Sequence, residues 1–444
     1  MAGLLAAALV GVTQHAGAWG TPHTEITRHG LRALPASDRA EARLGGLRQM
    51  EDLAWGGDYQ GGAFAQYFVD DYLLFPEFPR HSSHLMPDVA QTWRPFFRRT
   101  LQALRGESPQ NAARWLGTFL HFVEDSGSPP HALPLGGAVH TRMENYVLGL
   151  HVRLDGYHPR EFPHDEAAAE GAVVSRIGAL VAFSRERAER LRPLAERDDR
   201  LACEPLILEC AQDTIRAVAD VTHCLLVLAA EGPRPGAAVL RGEVRASADP
   251  AFPQTPVRVL LARTGISTVA DPGPRLPGDR EYRAAFVLGD LPPDDYTVWF
   301  VRAGCRTVRK RVRLAAGERR TLSVRLPTDP HPGNRVRNAD LQLRWLRPDR
   351  PDHWTFAGGM WLTDAFPIVR GGRYVAGAQD AAGARRIRVR VGEDPRFPGA
   401  APAANLDGEA LALNGRYARL EVEGETPPLA AWVAPAVGLK GEAQ

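Results

Sequence analysis

Between Ala113 and Gly127, apolar side chains recur at Leu116, Phe119, Leu120 and Val123, the spacing of one helix face, and Pro129-Pro130 closes the pattern. The same periodicity predicts a short amphipathic stretch over Thr24–Leu34. It also predicts a helix capped by Ser37 that runs to about Ala54 through Leu44, Leu47, Met50 and Leu53, and two more helices over 164–193 and 205–230. Gly56-Gly57 stops the helix that Ser37 opens, and residues 60–90 form a long irregular connection of the kind that serves function inside a compact domain. The pattern changes at Gly232-Pro-Arg-Pro-Gly236, a linker by composition. Beyond it the period becomes two: Val257, Val259 and Leu261 alternate, as do Tyr296, Val298 and Phe300. Thr328–Asn334 is a second linker. Strands then return at Leu341, Leu343 and Trp345, at Tyr374–Ala376, at Ile387, Val389 and Val391, and at Leu420 and Val422. The predicted architecture is multidomain: an all-α domain over residues 19–231, then β-sandwich domains over 237–327 and 335–438.

Composition narrows the function classes. Charged residues make up 24% and apolar residues 44%, as in ordinary globular domains, and a formal charge of +2 is too small to argue for nucleic acid or an anionic membrane as partner. Gly3–Val12 is an apolar run too short to span a bilayer, and Ala16-Gly17-Ala18 offers a small-x-small cleavage site. Residues 1–18 therefore read as a signal peptide, which predicts a secreted (extracellular or periplasmic) protein whose mature chain begins at Trp19. No later stretch reaches the roughly 20 apolar residues of a transmembrane helix. The four cysteines do not make a disulfide scaffold; the reading is one bridge among Cys203, Cys210 and Cys224, with Cys305 a buried thiol.

The chemistry gathers in the first half, where twelve of the fourteen histidines lie. His121 and Asp125 stand four apart on a predicted helix and leave the same face, and His140 and Glu144 repeat the spacing. His131 sits between them, just past the Pro-Pro break. One such pair could be a surface ion pair and one histidine a satisfied core residue. Two pairs with a third histidine point instead to a divalent cation, zinc above all, because neutral imidazoles and carboxylates are its usual ligands.

The run Trp19…His23…Asp58-Tyr59…Ser83-His84…His121-x-x-x-Asp125-x5-His131…His140-x-x-x-Glu144 resembles the zinc-dependent phospholipases C, whose framework the zinc-dependent single-strand nucleases share. The resemblance covers about residues 19–230. It implies an all-α fold with three zinc ions: one on Asp58, His84, His121 and Asp125, a second on His131, His140 and Glu144, and a third on the amino group and carbonyl of Trp19 with His23 and the other oxygen of Asp125. His29 competes with His23, Asp70 and Asp71 with Asp58, and His81 with His84; the surrounding residues favour His23, Asp58 and His84. Asp58 and Asp125 are the implied catalytic carboxylates, and Tyr59 could line a headgroup pocket. Glu144 favours the phospholipase branch. The acidic residue that the family sets beside choline has no counterpart around Pro22 and Thr24, so no headgroup preference is implied.

The stretch 237–327 resembles the immunoglobulin- or transthyretin-like modules appended to secreted enzymes. Asn338-Ala-Asp-Leu and Pro351-Asp-His-Trp354 resemble the opening of jelly-roll carbohydrate-binding modules, although Trp354 and Trp361 serve equally well as core residues. The expected function is a secreted zinc-dependent phosphoric diester hydrolase of the phospholipase C type, which uses a metal-activated water to cleave phospholipid to diacylglycerol and phosphorylated headgroup. The alternatives are a zinc-dependent single-strand nuclease, for which Phe64, Tyr67 and Phe68 could stack bases, and a non-catalytic surface- or glycan-binding protein with a zinc-stabilised helical domain. Partners follow from the same readings: a phospholipid or other phosphodiester, a glycan or cell-surface ligand through the β-domains, and nucleic acid only under the nuclease alternative.

Overall fold

The computed structural model describes residues 22–45, 84–146, 154, 156–247, 257–262, 264, 266–272, 281–302, 304–331, 334, 354–363, 366–367, 370, 372–380, 383–384, 386–392, 402–405, 410–415 and 417–436. The expected signal peptide, Trp19, the helix beyond residue 45, Asp58, Tyr59, His81, most of the 60–90 connection and the strand at Leu341–Trp345 lie outside these residues. The chain divides into two compact units, residues 1–233 and 234–444, the first helical and the second rich in strands.

The helical unit comprises α1 (Pro22–Arg32), a 3-10 turn (Ala36–Asp38), α2 (Ala40–Arg43), α3 (Ala90–Gly106), α4 (Pro109–Gly127), α5 (Pro129–Ala132), α6 (Gly137–Asn145), α7 (Glu166–Glu196) and α8 (Arg200–Ala230). Ser37 lies inside the 3-10 turn rather than capping a helix, and Arg39, in the left-handed region, starts α2. The central element is α4. The Ser108 side chain caps it by accepting the Asn111 N–H at 3.3 Å, and Pro109 opens it without wasting a donor. It ends at Gly127 because Pro129 holds Ser128 in extended backbone. Every residue from Trp115 to Gly127 is buried, so α4 is enclosed all round and its polar side chains must find partners inside the protein. Helices α1, α3, α7 and α8 pack around it.

Ion pairs on buried carboxylates link the helices of this bundle. Arg94 and Arg98 of α3 hold Glu170 of α7 at 2.6 and 2.5 Å, and Arg176 of α7 reaches Asp220 of α8 at 2.9 Å. By length and composition α7 is apolar enough to cross a bilayer, which the sequence reading did not anticipate. In the fold one face of it packs into the helical unit, with Val173, Ile177, Leu180 and Leu191 buried alongside the paired Glu170 and Arg176. The disulfide expectation is also corrected. All four cysteines are free, and Cys203, Cys210 and Cys224 lie on the single helix α8. Seven residues of helix rise about 10 Å, beyond the reach of a disulfide. Cys305 is half-buried rather than enclosed.

In the second unit, seven strands form one hydrogen-bonded path, β6-β5-β2-β3-β4-β1-β7: β1 (Ala238–Ser247), β2 (Val257–Leu261), β3 (Ser267–Pro272), β4 (Glu281–Leu291), β5 (Asp294–Val301), β6 (Val308–Leu314) and β7 (Arg319–Leu326). Strand β3 pairs with β2 along its start and with β4 at its end. The path therefore folds over one core in which Leu240, Val259, Phe286, Phe300 and Val324 meet. A second core lies between a six-stranded and a four-stranded sheet formed from residues 354–435. Trp354 and Trp361 are buried in it, so neither presents a ring to solvent.

Candidate metal centre

Four helices deliver the chemistry. His23 and Thr27 stand four apart on α1, His121, Glu124 and Asp125 project from the enclosed α4, His131 belongs to α5, and His140 and Glu144 stand four apart on α6. His84 lies just ahead of α3, where the Met86 N–H donates to the His131 carbonyl at 3.0 Å and ties the two segments together.

Asp125 is the hub. Its Oδ2 lies 2.5 Å from Nδ1 of His84 and 3.1 Å from Nε2 of His121, while its Oδ1 faces Nε2 of His23 at 3.6 Å and Nδ1 of His131 at 3.7 Å. The rings of His23 and His121 stack with centroids 4.6 Å apart. Glu144 is a second focus: its Oε1 lies 2.7 Å from Nε2 of His140 and 3.2 Å from Nε2 of His131. Two sets of donor atoms, His23-His121-Asp125 and His131-His140-Glu144, each fall within 4.8 Å of one another.

The electrostatics follow from enclosure. Burial opposes the charge on Asp125, but the neighbouring His121, His84 and His131 together outweigh it and hold the carboxyl well below its usual range. Burial pushes the His84 imidazole below its ordinary value despite the carboxylate beside it. Burial also lowers His140, yet the Glu144 carboxylate more than compensates and raises it. Glu144 is lowered, because the hydrogen bonds of His131 and His140 exceed its burial cost.

The hydrogen bonds test whether a cation belongs here. His131 Nδ1 donates to the His84 carbonyl at 2.8 Å, and His140 Nδ1 donates to the Leu135 carbonyl at 3.0 Å. Nε2 of each ring is left facing the same Glu144 oxygen. A proton on Nε2 joins ring to carboxylate there; with both rings neutral, three acceptors face one point, which a cation would satisfy. Asp125 Oδ1 and Glu144 Oε2 are buried and take no hydrogen bond among the described residues. Imidazole and carboxylate donors in this proportion suit zinc.

Seven of the nine predicted ligands, His23, His84, His121, Asp125, His131, His140 and Glu144, are thus brought together; Trp19 and Asp58 lie outside the described residues, as does Tyr59. His23 and His121, assigned by resemblance to different ions, share one donor set with Asp125. His29 is half-buried and outside both donor sets. His164 is exposed and pairs with Glu231, and His223 pairs with Asp38. The sequence reading overlooked Glu124 and Thr27. Glu124 Oε2 accepts from His23 Nδ1 at 2.5 Å, and its Oε1 accepts from the Thr27 hydroxyl at 2.6 Å. The one available signal was the four-residue interval from His23 to Thr27.

No family model and no curated relative matches the sequence. Among solved structures, the chain is similar to the alpha-toxin of an avian strain of Clostridium perfringens, at 13% identity over 69% of this chain and 98% of that one, with a TM-score of 0.34. It is similar also to the alpha toxin of Clostridium absonum, at 13% identity over 68% and 96%, with a TM-score of 0.33. At these values the likeness carries no functional argument, and the reading rests on the residues of the site.

Proposed function

We propose that the helical unit is the catalytic part of a secreted zinc-dependent phosphodiester hydrolase of the phospholipase C type, which cleaves phospholipid to diacylglycerol and a phosphorylated headgroup. The observation that carries this reading is the convergence of the ring nitrogens of His84, His121, His131 and His140 on the buried carboxylates of Asp125 and Glu144. His131, His140 and Glu144 would hold one ion, His84, His121 and Asp125 a second, and His23 with the other oxygen of Asp125 a third, with Asp58 and the Trp19 amine completing the sets. Bound there, such ions supply Lewis-acid charge at phosphorus and acidify a water.

The chain's own groups do the rest. The carbonyls of His84 and Leu135 fix the tautomers of His131 and His140. Enclosure of α4 keeps bulk water from Asp125, which strengthens every charge interaction there. The strand-rich segments 237–327 and 335–438 are proposed as an immunoglobulin- or transthyretin-like module and a jelly-roll module that hold the enzyme at a surface.

The test uses the chain beginning at Trp19, loaded with zinc. Phosphate esters released from mixed phospholipids are quantified beside nucleotides released from single-stranded DNA, with and without chelator. Chelator-sensitive release of phosphorylated headgroups is the expected result. Nucleotide release alone assigns the nuclease chemistry, and activity on neither substrate overturns both.

A further inference from the structure

Of the four imidazoles that present Nε2 to the two central carboxylates, His23, His131 and His140 are oriented through Nδ1, but not by the same kind of partner. His131 and His140 donate to backbone carbonyls, whereas His23 donates to a carboxylate, Glu124. That carboxylate is 2% exposed, as is the ring it holds, and the Thr27 hydroxyl fixes its second oxygen. Thr27 and His23 share the face of α1 that meets α4, so Glu124 is gripped twice by the element it orients.

We propose that Glu124 is a positioning residue for His23: it holds the proton on Nδ1 and turns Nε2 toward Asp125. The inference rests on the metal-centre reading above. A carboxylate that accepts from Nδ1 strengthens the opposite nitrogen as a donor more than a neutral carbonyl does, because the bond is charge-assisted. The Thr27 hydroxyl donates to the second oxygen, so both oxygens of Glu124 are engaged from α1. Glu124 follows Val123 and precedes Asp125 on a helix with 100° between successive side chains. One turn therefore points Asp125 at the ligands and Glu124 at the back of one of them.

The experiment is a zinc titration of the chain beginning at Trp19 against a competing chromophoric chelator, for the wild type, Glu124→Gln, Glu124→Leu and His140→Ala, with 15N-histidine spectra of the first two. Glu124→Leu is expected to weaken one ion by roughly 10–100-fold and to leave the ion of His131, His140 and Glu144 unchanged; combined with His140→Ala, the two losses add. Glu124→Gln keeps the volume and an acceptor oxygen, and is expected to lose only about fivefold. His23 Nδ1 carries the proton in both labelled proteins. Wild-type affinity in both Glu124 variants overturns the role of Glu124, as does a His23 Nδ1 without a proton in the wild type, or an equal loss at both groups in folded Glu124→Gln. A wild type that takes up no zinc overturns the metal centre itself, an outcome visible in the wild-type arm alone.

Discussion

Nε2 of His121 and Nδ1 of His84 stand 2.9 Å apart, and both face the same oxygen of Asp125. Two ring nitrogens so close to each other and to one carboxylate oxygen cannot each direct a proton at the other. Asp125 is the group that makes their approach tolerable, and removing its charge should undo the centre.

Asp125→Asn is expected to lower zinc affinity by at least about 100-fold and to abolish chelator-sensitive hydrolysis. Metal content after dialysis checks it. A variant that retains the full zinc content would show that Asp125 is a structural acid.

Glu170 predicts a pH signature away from the centre. Burial raises its carboxyl, but the hydrogen bonds of Arg98 and Arg94 outweigh burial and lower it below its usual 4.5. A carboxyl depressed in the fold stabilises above its unfolded pKa, and the contribution disappears as pH falls through the folded value. Glu170→Gln should therefore cost about 1 kcal/mol at pH 7, since both arginines are largely exposed, and nothing at pH 2. Urea unfolding of the two proteins at both pH values gives the comparison.

Gly127 ends α4 where that helix meets Thr214 of α8. A Cβ there would lie 2.0 Å from Thr214 Oγ1 and 3.0 Å from its Cβ, and Thr214 is fully buried. Gly127→Ala is expected to destabilise the chain by roughly 1–3 kcal/mol through overpacking. An unchanged urea midpoint would show that α8 gives way without cost.

The thiols offer a direct test of the corrected disulfide reading. Burial pushes Cys203 up to about 11 and Cys210 and Cys224 up to about 12, so all three are protonated and enclosed at neutral pH. A thiol reagent at pH 8 should leave them unmodified in the native chain and titrate all four cysteines in denaturant without reductant. Two thiols in denaturant would mean that a bridge exists.

His121 and Asp125 were legible because an interval of four on a helix is a statement about a shared face. The strand-rich half was legible from its alternation, and the helical half from its period. Glu124 was not: beside Asp125 it reads as one more acid, and its meaning depends on α1, 101 residues away in sequence. The cysteines misled because the predicted helix began at 205, which left Cys203 off the element that separates it from Cys210 and Cys224. Ser37 misled because a capping residue type also suits a 3-10 turn.

The enclosed helix α4 has a consequence for assembly. Its polar side chains meet partners from α1 and from the segment before α3, so His23 and Asp125 are joined across about a hundred residues of chain. A cation gripped at both ends of such a loop is a cross-link, and it restricts the unfolded chain as a disulfide would. The thiols of α8 cannot supply that staple, since one rigid helix holds them apart. Zinc would supply it instead, and its loss would first release the amino-terminal helix.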